Sequence, residues 1–279
     1  MNDFLSSILT ALLFVGGVGL LCSVLLVVAS KLMAVKVDQR VEQIRKCLPG
    51  ANCGACGFTG CDGYANALVN VPGTKTNLCI PGSDAAARGI CEILGSSFED
   101  VQQRKAIVRC NGTCGGSGMN TDKKVTYVGI KTCAAASGVC GGDGKCVYGC
   151  LGYGDCQKVC PADAVCIQDG IARINDSKCI GCGLCAKACP KHIITMAPAE
   201  TSVAVVCSNL DNGAKAHKAC LAACIGCKKC QSSCPHGAIS VENNLSSIDY
   251  SLCTGCRTCV SVCPTHAIAA LLPAQHACE

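Results

Sequence analysis

Cysteine is the residue type in this sequence whose spacing best indicates chemistry. Of the 279 residues, 31 are cysteine, and three runs share the spacing C-x2-C-x2-C-x3-C-P, beginning at Cys179, Cys224 and Cys253. Three thiolates separated by two residues each can surround one face of a compact cluster, and the fourth ligand comes from elsewhere. The runs therefore predict [4Fe-4S] clusters, with the fourth cysteine of each run binding the cluster of its partner run.

Three other uses of cysteine compete with this interpretation. Disulfide frameworks are typical of short secreted chains, whereas this chain is long and its cysteines are closely spaced. Zinc usually takes two separated C-x2-C pairs, whereas here a third cysteine follows at the same spacing, and then Cys-Pro. Burial as a small apolar side chain accounts for single cysteines but not for a repeat. The repeat therefore favours iron–sulfur clusters.

The runs pair into two modules. Cys253 lies 19 positions after Cys234, and Cys179 lies 19 positions after Cys160. The second of these separations places another pair upstream, whose first run is irregular: Cys146-x3-Cys150-x5-Cys156-x3-Cys160-Pro161. Crossed pairing predicts four ligand sets: Cys146, Cys150, Cys156 and Cys189; Cys179, Cys182, Cys185 and Cys160; Cys224, Cys227, Cys230 and Cys263; and Cys253, Cys256, Cys259 and Cys234.

A different motif lies nearer the N-terminus. It reads Cys53-Gly-Ala-Cys56-Gly-Phe-Thr-Gly-Cys61, with Cys79 further on. Its glycines permit tight turns and close approach of the backbone to a bulky ligand. We therefore expect a fifth [4Fe-4S] site with the ligands Cys53, Cys56, Cys61 and Cys79.

A sixth cluster is a further expectation. Two cysteines precede the first module and two follow it, and the ends of a domain often lie close together. The four that would converge are Cys110, Cys133, Cys207 and Cys220. Cys114 is the substitute ligand, and the alternative is that all of them are buried small apolar side chains.

One stretch is apolar enough to cross a membrane. Leu5 to Ala29 is a run of 25 uncharged residues, which is long enough to span a bilayer. A secretory signal peptide is the alternative, but the basic region that begins such peptides is lacking. The positive-inside rule predicts a single pass through the cell membrane with the bulk of the chain on the cytoplasmic side, because basic residues follow the span: Lys31, Lys36, Arg40, Arg45 and Lys46.

These observations predict an α+β protein with a single N-terminal transmembrane helix. Val41, Ile44 and Leu48 form one apolar face of a helix after it, and the apolar pairs that follow each Cys-Pro fit the starts of short strands. We expect five regions: a transmembrane anchor at 1–35, a domain with a single [4Fe-4S] site at 36–95, a connecting segment at 96–132, and ferredoxin-like modules at 133–205 and 206–279.

The formal charge of +5 does not indicate nucleic-acid binding. Each oxidised cluster with four thiolates carries about −2 by charge counting, so six clusters would bring the total to roughly −7. The sequence also has no G-x-G-x-x-G motif after a strand, no phosphate-binding loop and no Ser/His/Asp pattern. We expect no catalytic residues and no NAD or flavin site, so the chain carries electrons and other proteins of its complex do the substrate chemistry.

Beyond the cysteines, longer segments carry a family resemblance. The membrane helix leads into Leu48-Pro-Gly-Ala-Asn-Cys53, and the tandem runs include Tyr148-Gly-Cys150-Leu-Gly-Tyr-Gly-Asp-Cys156 and the segment from Val241-Glu-Asn-Asn-Leu245 to Ile248-Asp-Tyr250. The chain resembles the RnfB family, the B subunits of the Rnf ion-translocating electron transport complex, in the long form with two ferredoxin modules. The resemblance covers essentially the whole chain.

The resemblance implies a role in a ferredoxin:NAD⁺ oxidoreductase that pumps Na⁺ or H⁺. A protein of this family would take electrons from reduced ferredoxin and relay them to the cluster of Cys53, Cys56, Cys61 and Cys79. From there they would pass to the A and E subunits in the membrane, to the flavin-carrying D and G subunits, and to NAD at the C subunit. The alternative is a polyferredoxin-like component of another membrane enzyme, such as a hydrogenase or a formate-linked complex.

Overall fold

The structure, a computed structural model, describes residues 2–32, 38–115 and 118–271. It begins with a long helix, α1 (Asn2–Leu32), whose segment Leu12–Lys31 is long and apolar enough to cross a membrane. The large apolar side chains of this segment are exposed, as Phe14 is at 75%. Exposure of a whole apolar helix suits a lipid environment better than water. Nothing else among the described residues meets the same criterion of length and composition.

Three helices follow and form a small domain of their own: α2 (Gln39–Cys47), α3 (Cys61–Asn70) and α4 (Ser83–Leu94). The Asp38 side chain accepts the backbone N–H of Arg40 and so caps α2. Val41, Ile44 and Leu48 are buried in the core of this domain, as the periodicity predicts. Val37, which precedes them at the same spacing, lies outside the described residues. The core of this domain is apolar and includes Cys61 and Cys79.

The first module follows, with its own strands and short helices: β1 (Arg104–Val108), α5 (Cys133–Ser137), α6 (Asp155–Lys158), β2 (Val165–Gln168), β3 (Ile171–Ile174), α7 (Leu184–Ala188) and β4 (Ile194–Pro198). β1 pairs antiparallel with β4, so the two ends of the module meet. β2 and β3 form a hairpin, whose two turn residues, Asp169 and Gly170, both have positive φ. Asp-Gly is a preferred pair for the tight turn that matches strand twist.

The second module repeats this plan: β5 (Val203–Val205), α8 (Gly213–Ala219), α9 (Lys229–Ser232), β6 (Ile239–Glu242), β7 (Leu245–Ile248), α10 (Thr258–Val262) and β8 (Ile268–Ala270). β5 pairs with β8, and β6 forms a hairpin with β7. In both modules the strand after each Cys-Pro begins at the second residue of the apolar pair, as the sequence predicts.

Two boundaries differ from those expected. The segment 96–132, expected only to connect, contains β1, which pairs with β4 and so belongs to the first module. β5 falls inside the range 133–205 but pairs with β8 of the second module. Both strands are short, and no Cys-Pro marks their start, so the repeat does not reveal them. Side chains of Ile107 and Ala197 pack with Ala204 and Tyr250 and join the modules.

Candidate metal centres

Cavities inside the two modules and between them are lined by thiols. Five of them have volumes of about 20 to 30 Å³, more than the roughly 10–15 Å³ that one water molecule needs. Among the described residues, no three His, Cys, Asp or Glu side chains meet at the distance of a single metal ion. The thiols instead surround space. This arrangement fits a cluster of several irons better than one zinc ion.

The cysteines fall into six groups of four, which we number from the N-terminal domain outwards. Every thiol in these groups is free. Site I is defined by mutual proximity of its thiols and the other five by the cavities that they line. The groups are site I, Cys53, Cys56, Cys61 and Cys79; site II, Cys160, Cys179, Cys182 and Cys185; site III, Cys133, Cys150, Cys156 and Cys189; site IV, Cys110, Cys146, Cys207 and Cys220; site V, Cys224, Cys227, Cys230 and Cys263; and site VI, Cys234, Cys253, Cys256 and Cys259.

Two of these groups correct the grouping expected from the spacing. Crossed pairing placed Cys146 with Cys150, Cys156 and Cys189, and it left Cys133 for the sixth set. The structure exchanges the two residues: Cys133 lines the cavity of site III and Cys146 lines that of site IV. The set of 24 cysteines brought together is unchanged. The irregular run that contains Cys146 is where the exchange occurs.

Cys133 reaches site III because a short helix carries it there. Cys133 begins α5, which the Thr132 hydroxyl caps by accepting the backbone N–H of Ala135. The carboxylate of Asp155, which lines the cavity of site III, accepts the backbone N–H of Ala134 at 3.0 Å. Cys133 also packs in a small buried cluster with Leu151. Cysteine spacing does not assign Cys133 to site III, because Cys133 lies 17 positions before the next site III cysteine, Cys150.

Site IV lies between the modules and takes ligands from both. Cys110 follows β1, and Cys207 follows β5. The buried Asn209 donates its backbone N–H to Cys207 Sγ and its side-chain Nδ2 to Cys146 Sγ, both at 3.4 Å. Cys114 also lines this cavity, but its Sγ approaches the carbonyl of Gly170 at 3.9 Å. Asn209 thus orients two of the four thiols.

Burial is the main cause of the raised pKa values of the site IV thiols Cys110 and Cys220. It raises the pKa of Cys110 to about 12 and that of Cys220 to about 11, and neighbouring thiols add to the rise. Backbone N–H groups oppose it, because a hydrogen bond favours the thiolate. One such bond runs from Cys150 N to Cys110 Sγ at 3.3 Å. Without metal these thiols are protonated, so metal binding must displace their protons.

The six sites form a series in which each is next to the following one. At each step of the series, a thiol of one site lies close enough to raise the pKa of a thiol of the adjacent site, in addition to the larger effect of burial. At the junction of sites IV and V, Cys224 N donates to Cys207 Sγ at 3.3 Å. The thiol pairs that join neighbouring sites, from site I to site VI, are Cys53 with Cys182, Cys185 with Cys156, Cys150 with Cys110, Cys207 with Cys224, and Cys230 with Cys259.

Family models match most of these sites. A 4Fe-4S dicluster domain matches residues 178–238 and 223–267, and a putative Fe-S cluster model matches 48–81. An LdpA Fe-S cluster-binding domain matches 154–200. The thiol-lined cavities and these matches define an iron–sulfur electron-transfer protein, and its apolar helix suggests association with a membrane.

Relatives over most of the chain are more specific. The B subunit of the Na⁺-translocating ferredoxin:NAD⁺ oxidoreductase complex of Acetobacterium woodii is 40% identical over 88% of this chain and 73% of its own length. The B subunit of the proton-translocating complex of Clostridium ljungdahlii is 42% identical over 84% and 82%. The B subunit of the ion-translocating oxidoreductase complex of Methanosarcina acetivorans is 36% identical over 88% and 91%. The chain belongs to this family, the B subunits of the Rnf-type ion-translocating oxidoreductases.

Proposed function

We propose that this chain takes electrons from reduced ferredoxin and passes them along six [4Fe-4S] sites to membrane proteins of an ion-pumping ferredoxin:NAD⁺ oxidoreductase. The observation that carries the proposal is the unbroken series of thiol groups from site VI to site I. Each cluster, when bound, supplies a one-electron carrier whose potential depends on hydrogen bonds to sulfur and on solvent exposure. The names of the relatives favour this role over that of a hydrogenase or formate-linked carrier.

The protein's own groups set the conditions at each site. Backbone N–H groups donate to the thiols, as Ala164 does to Cys160 Sγ at 3.3 Å and Ala172 does to Cys150 Sγ at 3.4 Å. Such bonds favour the charged thiolate and raise the reduction potential of what it binds. Burial excludes water from the middle of the series, where Cys110, Cys207 and Cys220 are each less than 10% exposed.

Features of the two ends of the series support a direction of transfer from site VI to site I. Site VI has an exposed ligand, Cys256, which suits an encounter with a soluble donor. Site I belongs to the domain that follows α1, so it lies nearest in sequence to the membrane. We propose a single-pass anchor with the modules on the cytoplasmic side, where ferredoxin enters at site VI. Site I then delivers to the A and E subunits, from which electrons reach the flavin-carrying D and G subunits and NAD at the C subunit.

Iron analysis of the anaerobically purified full chain tests the number of sites. Six sites predict about 24 irons per chain. A value near 20 would remove one site, and a value below about 16 would contradict the multicluster assignment.

Interrupting the series tests the path. Cys207→Ala removes site IV, so chemically reduced ferredoxin should bleach only sites V and VI, roughly a third of the visible absorbance of the six clusters. Bleaching of sites I to III instead would reverse the proposed entry point, and complete bleaching would show that site IV is not on the path. In the assembled complex, Cys53→Ala should abolish NAD reduction while the other sites remain reducible.

A further inference from the structure

One lysine crosses from the first module to the N-terminal domain. Lys187, in the last turn of α7, donates from Nζ to the backbone carbonyl of Cys53 at 3.1 Å and lies 3.5 Å from that of Gly54. These partners lie more than 130 residues away in the sequence. Lys187 forms no ion pair within residues 38–115 and 118–271. The contacts of its ammonium group are therefore with the loop that carries site I.

At the same junction Gly181 packs closely against both domains. A Cβ placed on Gly181 would collide with the carbonyl oxygen of Arg104 and would lie 2.9 Å from Ile80 Cγ2. Gly181 adopts a φ of +68°, a conformation that glycine tolerates best. The junction thus brings Cys182 of site II beside Cys53 of site I. Lys187 supplies the polar contact at its edge.

A second lysine occupies the matching place in the same module without such a contact. Lys158 lies two residues after Cys156, as Lys187 lies two residues after Cys185, and each is in the last turn of its short helix. The Lys158 side chain has neither an ion pair nor a hydrogen bond to the part of the chain that the structure describes. The helix position alone therefore does not account for the contacts of Lys187.

The charge of Lys187 suits this place. Sites I and II, when loaded, carry charges of the same sign, because four thiolates give each oxidised cluster about −2. Two such groups held close together repel, and a cation at their junction offsets the repulsion. A hydrogen bond from an ammonium to a carbonyl is also stronger than one between neutral groups.

We propose that Lys187 is a positioning residue that holds site I against site II and so sets the coupling between them. This inference rests on the proposed function, since it needs both sites to bind clusters. Lys187 acts through the backbone of Cys53 and Gly54 and touches no reacting atom. Its loss removes this charged contact from the edge of the junction and lets the two domains separate.

Electron paramagnetic resonance of the full-length, dithionite-reduced chain in detergent tests the proposal. Neighbouring reduced clusters broaden each other's signals, and the broadening depends steeply on their separation. Lys187→Met should lower the ratio of chains with broadened signals from sites I and II to chains without them by roughly threefold to tenfold, the change in equilibrium constant expected from losing one charged hydrogen bond at an exposed place. Lys187→Arg should restore the broadening, and Lys158→Met should leave it unchanged.

Iron content separates the possible failures. All three variants should bind the same iron as the wild type, because Lys187 and Lys158 are exposed and ligate nothing. Unchanged broadening in Lys187→Met with full iron would overturn the inference alone. A wild-type chain that lacks iron at site I or II would overturn the proposed function and this inference together.

Discussion

The two ferredoxin-like modules share a frame but distribute their thiols differently. Each has a strand pair that joins its ends, one hairpin, and two short helices that carry the third cysteine of a run. The second module fills sites V and VI from its own two runs. In the first module, Cys146 lines the cavity of site IV instead, and Cys133 takes its place at site III. Site IV, the place where the modules meet, thus takes a ligand that a regular run would have kept.

The difference between the modules is tested with the largest effect by cysteine variants that lose all the iron of a site. Ligands of one site share their iron, so removing two of them costs no more than removing one. Cys146→Ala combined with Cys207→Ala should therefore lose about four irons, whereas Cys133→Ala combined with Cys207→Ala should lose about eight. Iron and sulfide analysis of the purified full-length variants measures both.

The grouping expected from the spacing makes the opposite prediction. If Cys133 belonged to site IV, its combination with Cys207→Ala would lose about four irons and that of Cys146→Ala would lose about eight. Cys91→Ala is the matched control, since Cys91 is buried, approaches the Thr76 hydroxyl and belongs to none of the six groups, so this variant should retain all the iron.

The second module shows how much spacing alone can predict. Its two groups of four cysteines follow from two regular runs, because each fourth cysteine crosses to the partner run. The starts of β6 and β8 follow from the apolar pairs after Cys-Pro. Across the whole chain the sequence identifies the same 24 cysteines that the structure groups, but in the first module it does not reveal the exchange of Cys133 and Cys146. That exchange depends on α5, Asp155 and Asn209, contacts between segments far apart in the chain. β1 and β5 were missed for a similar reason, since their pairing partners lie at the opposite ends of the modules.

Asn209 offers the next largest effect. Asn209 is 1% exposed; its side-chain Nδ2 donates to Cys146 Sγ of site IV, and its backbone N–H donates to Cys207 Sγ of the same site. Groups that orient metal ligands are typically worth about tenfold to a hundredfold in metal affinity. Asn209→Ala should therefore speed loss of iron from site IV to a chelator by about that factor, while sites V and VI lose iron at the wild-type rate. Equal acceleration at all sites would indicate general destabilisation instead.

The hairpins of the two modules differ at one position next to a ligand. Ser246 of β7 is buried, and its Oγ lies 3.5 Å from Cys230 Sγ of site V. The equivalent residue of β3 is Ala172. A thiolate bound to iron can only accept, so Ser246 must then donate, and such a bond raises the potential. Ser246→Ala should lower the potential of site V by roughly 30 to 60 mV in a redox titration, since 59 mV corresponds to a tenfold change for one electron.

The reverse substitution is its counterpart in the first module. Ala172→Ser should leave site V unchanged, because Ala172 belongs to the hairpin that borders site III and its backbone N–H donates to Cys150. A shift at site V in both variants would show that the change does not arise from the Ser246 hydroxyl.

The smallest effect concerns the residue that precedes each short helix. Gly154 and Gly183 occupy this place in the first module, with φ of 79° and 71°, whereas Lys228 and Arg257 occupy it in the second, with φ of 60° and 62°. Left-handed backbone costs a residue with a Cβ about 1 kcal/mol relative to glycine. The second module therefore carries a conformational cost that the first avoids.

Exchanging residue types at this place measures that cost. Gly183→Ala should accelerate cluster loss in guanidinium about fivefold, the equivalent of about 1 kcal/mol. Its new Cβ meets only Met196, at 3.8 Å, so conformation rather than collision is tested. Arg257→Gly should slow the loss by a smaller factor, because glycine also gains freedom in the unfolded chain. Gly138→Ala is the control, since Gly138 has an ordinary helical φ of −67° and room for a Cβ. If Arg257→Gly accelerated the loss instead, contacts of the Arg257 side chain would outweigh its strained backbone.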